Sequence, residues 1–121
     1  MAEMATKDFS IKELSCPCCG AYAMQKPFLD KLQELRDLYS RPMIITSGYR
    51  CERHNAAVKG EKDSQHLYGN AVDIHCIDSA ERFLLVRLAY QVGFRGFGTD
   101  AAFLHIDLRQ GLERMWVYPQ R

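Results

Sequence analysis

The chain has 121 residues and a mass of 13.9 kDa, with 47% hydrophobic and 26% charged residues; this is the balance of one soluble globular domain with a single core, and it excludes a disordered chain. Sixteen Lys and Arg against fifteen Asp and Glu leave a formal net charge of +1, which argues against a general nucleic-acid or membrane-surface binder, since such binding draws on a basic excess. No apolar run approaches the roughly 20 residues that cross a bilayer, and the start of the chain carries Glu3, Lys7 and Asp8 with no apolar segment, so the expectation is a protein made in the cytoplasm, without a secretory signal or membrane insertion.

Residues 1–7 read as a loose end, and residues 8–121 as one domain without repeats or linkers. Pro27 to Tyr39 predicts an amphipathic helix, with Phe28, Leu32, Leu35 and Tyr39 at helical spacing. Pro27 suits its first turn, and Arg41-Pro42 ends it. Met43 to Thr46 is short, apolar and partly β-branched, hence a buried strand, with Ser47-Gly48 as a turn. Cys51 to Val58 reads as a short helix and Glu61 to Gln65 as a loop. Ala71 to Cys76 alternates, with Val72, Ile74 and Cys76 on one face and Ala71, Asp73 and His75 on the other. Asp78 or Ser79 caps a second long helix that runs to Val92, with Phe83, Leu84, Leu88 and Val92 as its apolar face and Gly93 as its stop. Gly93, Gly96 and Gly98 predict an irregular connection. Phe103 to Leu108 alternates again, placing Phe103, His105 and Asp107 together, and Met115 to Tyr118 is the last strand. Strands and helices without a regular βαβ rhythm predict an α+β fold with a small, mostly antiparallel sheet and flanking helices.

Cysteines 16, 18, 19, 51 and 76 are an odd set for a disulfide framework. Cys16, Cys18 and Cys19 crowd into Cys-Pro-Cys-Cys-Gly, so either a structural zinc site completed by Cys51 or a loop of free thiols is expected. Cys76 reads as a small core residue.

Two alternating strands carry polar groups among apolar neighbours: Asp73 between Val72 and Ile74, and His105 between Leu104 and Ile106. A carboxylate and an imidazole in half-buried strands need partners, and a metal ion is one partner that suits both. His66, seven residues before Asp73 and followed by Gly69, is the third candidate ligand. Three protein ligands would leave the fourth position of a catalytic zinc open.

Ser64-Gln-His66-Leu-Tyr-Gly69-Asn-Ala71-Val-Asp73 resembles the Ser-x-His-x-x-Gly-x-Ala-x-Asp signature of the zinc D-alanyl-D-alanine carboxypeptidases and L-alanyl-D-glutamate endopeptidases, which share the hedgehog/DD-peptidase fold. Phe103-Leu-His105-Ile-Asp107-Leu-Arg109 resembles that group's second metal motif, and Thr46-Ser-Gly-Tyr-Arg50 with His54-Asn55 its upstream segment. The likeness runs over about residues 8–118. It implies zinc ligands His66, Asp73 and His105, a substrate- and oxyanion-holding Arg50, a substrate-contacting Ser64, and hydrolysis of peptidoglycan peptides by metal-activated water. Tyr68, beside the ligand loop, is a candidate cleft wall. A monomer and a phage-lysis or wall-remodelling role, with release through another protein's membrane pore, accompany this reading.

The chain departs from the group at the general base. Several relatives carry an acid three residues before the last histidine ligand, where this chain has Ala102. Asp100 is the favoured substitute on reach, and Asp107 is the alternative; Asp107 also reads as a residue that orients a ligand or pairs with Arg109. Arg50 has a plainer reading, an exposed pair with Glu52 or Asp63, and His75, His54, Trp116 and Tyr118 read as hydrogen-bonding, surface or packing residues. A non-catalytic zinc module that binds wall peptide or protein is the rival reading. A nucleic-acid-associated protein built on the cysteines is a more distant one.

Overall fold

The computed structural model describes residues 2–119. Among them, three α-helices and five strands make an α+β fold. The order is α1 (Lys26–Tyr39), β1 (Ile45–Ser47), α2 (Glu52–Ala57), β2 (Ala71–His75), α3 (Ser79–Val92), β3 (Gly96–Thr99), β4 (Phe103–Asp107) and β5 (Arg114–Val117), with 3-10 turns at Lys12–Leu14 and Gln65–Tyr68. The strands form one sheet in the order β1-β2-β4-β3-β5. Neighbours pair antiparallel except β3 with β5, which run parallel.

Helix α1 buries Phe28, Leu29, Leu32, Leu35 and Tyr39, the stripe that helical spacing predicts. It stops at Ser40, which takes a left-handed conformation (φ 59°) and donates its N–H to Arg36 O, just ahead of Arg41-Pro42. Helix α3 is capped by Asp78, whose carboxylate accepts the Glu81 N–H at 2.9 Å, and it ends at Gly93. Its buried stripe is Leu85, Leu88, Ala89 and Val92. Phe83 was expected on that face but is 71% exposed, because it lies off the i, i+3, i+4, i+7 series that starts at Leu85.

Alternation divides the sheet into two chemically different faces. Val72, Ile74, Leu104, Ile106 and Phe97 join α1, α3 and Phe94 in one core. Phe28 meets Phe94 edge-to-face at 5.5 Å. Each such fully buried side chain contributes about 1.5–3 kcal/mol. The opposite face carries Asp73 across from His105, then Gly98 and Trp116 in register on the next two strands.

The structure corrects two elements. The expected strand at Met43 to Thr46 forms instead over Ile45–Ser47, with an irregular register between Ile45 and Ser47 against β2, while Met43 drops into the core. The expected irregular connection at Gly96 and Gly98 is strand β3, interior to the sheet. Glycines weaken a strand, but here other residues fill the space above them. A Cβ on Gly98 would stand 2.6 Å from Trp116 Nε1 and 2.7 Å from Tyr118 Cε2, and one on Gly96 would collide with the Asp107 carboxylate. The chain before Asp8 makes a bridge between Met4 and Ser10, and the Thr6 hydroxyl donates to Gln33 Oε1 at 2.6 Å.

Candidate metal centre

His66 is presented by the 3-10 turn Gln65–Tyr68. Ser64 caps this turn, its Oγ accepting the His66 N–H at 3.2 Å. Gly69 closes it in the left-handed region (φ 66°), where a Cβ would also strike the Ala23 carbonyl; no other residue type fits there without strain. The chain then enters β2, which carries Asp73, and β4 sets His105 directly opposite.

Three donor atoms converge. His66 Nε2 and His105 Nδ1 each lie 3.1 Å from Asp73 Oδ1, and the two rings meet edge-on with centroids 5.1 Å apart. All three residues are buried. The outward nitrogens decide the tautomers. His66 Nδ1 faces the Gly48 carbonyl at 2.7 Å, and His105 Nε2 faces Asp107 Oδ2 at 2.7 Å. Both partners only accept, so both outward nitrogens carry the proton. Each neutral imidazole therefore turns a lone pair toward the same carboxylate oxygen. Facing lone pairs repel, and either a cation among the three atoms or a proton on an inward nitrogen relieves that repulsion.

The donors suit zinc in kind and spacing. Ligands about 2.0–2.1 Å from a tetrahedral ion stand about 3.3 Å apart, close to the 3.1 Å found here. Two imidazoles and one carboxylate leave a fourth position open.

Charged neighbours hold these groups in place. Burial pushes the Asp73 carboxyl up, but with no ion present hydrogen bonds from His105 and His66, in forms that carry a proton on the inward nitrogen, outweigh it and keep the group well below the usual carboxylate range. Burial drives His66 down, toward the neutral form, against the pull of Asp73. The same burial acts on His105, but Asp107 and Asp73 together raise it. Asp107 is itself brought down to about 2: burial raises it, and His105 and Arg109 lower it further than burial lifts it. Its carboxylate is fully buried and accepts from His105 Nε2 and from Arg109 N, Nε and Nη2. The Arg109 guanidinium lies over the Trp116 ring at 4.6 Å, and Trp116 stands 5.2 Å from His105.

Arg50 enters from the other side. Its Nη2 donates to Asp73 Oδ2 at 3.3 Å, its Nε to Ser47 Oγ at 3.1 Å and its Nη1 to Asn55 Oδ1 at 3.2 Å. The plain pairing with Glu52 or Asp63 is not what the structure shows; Arg50 is largely buried against Asp73. Asn55, also buried, anchors it and donates to Glu61 O at 2.9 Å.

The structure brings together His66, Asp73, His105, Arg50 and Asp107. Asp100 sits in the β3–β4 turn, where its Oδ2 accepts the Ala102 N–H at 3.0 Å. Tyr68 is 54% exposed beside the ligand turn. His75, at the end of β2, is exposed. Trp116 and Tyr118, read from sequence as packing residues, turn onto the site face above Gly98. Burial raises the Tyr118 phenol, the Trp116 indole N–H opposes that, and the Asp73 charge adds to the rise. Trp116 and Tyr118 escaped sequence reasoning because one strand's alternation does not say which face is the site. Only the register of Trp116 with Gly98 does.

The sequence model of the Peptidase M15 family matches residues 7–107. No curated protein matches the chain. Among the described residues, no helix is long and apolar enough to cross a membrane.

Proposed function

The chain belongs to the peptidase M15 family, and from that membership we propose that it is a zinc metallopeptidase cutting peptidoglycan stem peptides at a bond between alanine and a D-amino acid or between L-alanine and D-glutamate. The convergence of His66 Nε2, Asp73 Oδ1 and His105 Nδ1 carries the reading. These three residues would hold the ion, which supplies the Lewis acidity that makes water a nucleophile near neutral pH and polarises a carbonyl.

The protein's own groups do the rest. Asp107 fixes the His105 tautomer and ring, and Gly48 does so for His66. Arg50 uses three of its five N–H donors on Ser47, Asn55 and Asp73. One N–H on each terminal nitrogen is left to meet a substrate carbonyl as it gains negative charge. Trp116 and Tyr118 put aromatic surface beside His105, and Tyr68 and Ser64 belong to the turn that presents His66. Asp100 serves as proton acceptor: its carboxylate lies against the backbone of Ala102, the position where several relatives carry an acid.

Incubating the zinc-loaded protein with muropeptides and reading the products by mass spectrometry tests this. The expected result is either loss of a terminal D-alanine or a split between L-alanine and D-glutamate. Intact muropeptides with zinc bound would overturn the enzyme reading in favour of a wall-binding module, which the alanine at position 102 otherwise recommends.

A further inference from the structure

Outside the sheet, the sulfurs of Cys16, Cys19 and Cys51 lie within 4.8 Å of one another. We propose that they form a second, structural zinc site that ties the loop before α1 to the segment bearing Arg50.

The backbone builds the cluster from two distant pieces of chain. The first is a tight turn over 16–21, closed by Cys16 N–H to Ala21 O and Gly20 N–H to Cys16 O, both 2.8 Å. It sets Cys16 and Cys19 side by side. The second is Cys51 at the start of α2, its sulfur accepting the His54 N–H at 3.4 Å. Cys16 Sγ and Cys51 Sγ stand 3.7 Å apart and are free thiols. A disulfide needs about 2.05 Å, whereas thiolates about 2.3 Å from a tetrahedral zinc stand about 3.8 Å apart. The spacing is that of co-ligands.

Charge and further donors agree with this. Three thiolates around a divalent ion leave a net negative charge, and the Arg53 guanidinium faces the cluster, 3.4 Å from Cys18 Sγ. Cys18 Sγ, 4.0 Å from Cys51 Sγ, is a further donor beside the cluster for the fourth position.

The site has a consequence for the sheet. Cys51 follows Arg50 directly, and Tyr49 donates its N–H to Leu14 O at 3.0 Å. Gly48, in the same run, holds His66. An ion on Cys51 therefore pins the segment from which two supports of the histidine site arise.

Counting zinc in the full chain and in a His66→Ala/His105→Ala double variant tests the proposal independently of any activity on wall peptides. The expected content is two ions per chain in the parent and one in the double variant. Adding Cys51→Ser to the double variant should remove the last ion. Cobalt loading of the double variant needs no cysteine substitution, and it should give thiolate-to-cobalt charge-transfer absorption in the near ultraviolet. An empty double variant without that absorption would overturn the site, as would a Cys16–Cys51 disulfide in the purified protein.

Discussion

Replacing Asp107 by asparagine preserves shape and removes one acceptor oxygen. The carboxylate accepts from His105 Nε2 at 2.7 Å and from Arg109 N, Nε and Nη2, the last at 2.7 Å. An amide has one oxygen and one NH2, so either His105 or Arg109 must face a donor. A buried donor left without an acceptor costs about 1–3 kcal/mol, and loss of the charged partner adds to it. Arg109 is partly exposed and recovers some of that from water. The net expectation is about 2–4 kcal/mol less stability in urea unfolding of the metal-free protein. Where the amide turns its NH2 to His105, the imidazole gives up its Nε2 proton to accept that bond, and Nδ1 takes the proton in place of its lone pair. Zinc affinity at the histidine site should therefore fall about 10–100-fold, read by competition against a chromophoric chelator with the cysteine ion already counted. Affinity within twofold of the parent would refute the claim that Asp107 sets the His105 tautomer.

Other expectations follow from the same geometry. Asp100→Asn should slow muropeptide cleavage by about two to four orders of magnitude with zinc content unchanged; a rate within twofold would move the proton acceptor elsewhere. Gly98→Ala should cost about 1–3 kcal/mol, because its Cβ meets Trp116 and Tyr118 well inside contact distance, and an unchanged urea midpoint would contradict the packing. Zinc affinity at the histidine site should weaken as pH falls. Asp73 and Asp107 raise His105, so its protonated form competes with the ion, by about tenfold per pH unit once one proton is displaced. Metal titrations at several pH values check this, and a flat profile down through His105 protonation would count against imidazole ligation.

The candidate ligands were legible because they break a pattern. Asp73 and His105 interrupt alternating apolar strands, and the sheet places them opposite one another. The caps at Asp78 and Gly93 were readable for local reasons, since each satisfies helix-end groups within a few residues. Strand β3 was not, because its glycines look like a turn until Trp116 and Arg109 arrive from later in the chain to cover them. Likewise, the role of Asn55 depends on Arg50 crossing the sheet to Asp73, a contact between residues 23 positions apart. Asp107 was open to two readings from sequence; four donors already claim its two oxygens, which suits it to positioning His105.

Anomalous diffraction at the zinc edge from crystals of the zinc-loaded protein locates the ion without reference to activity. A peak within ligand distance of His66 Nε2, Asp73 Oδ1 and His105 Nδ1 is the result this donor set predicts. No peak there, with both imidazoles still facing the carboxylate, would contradict it.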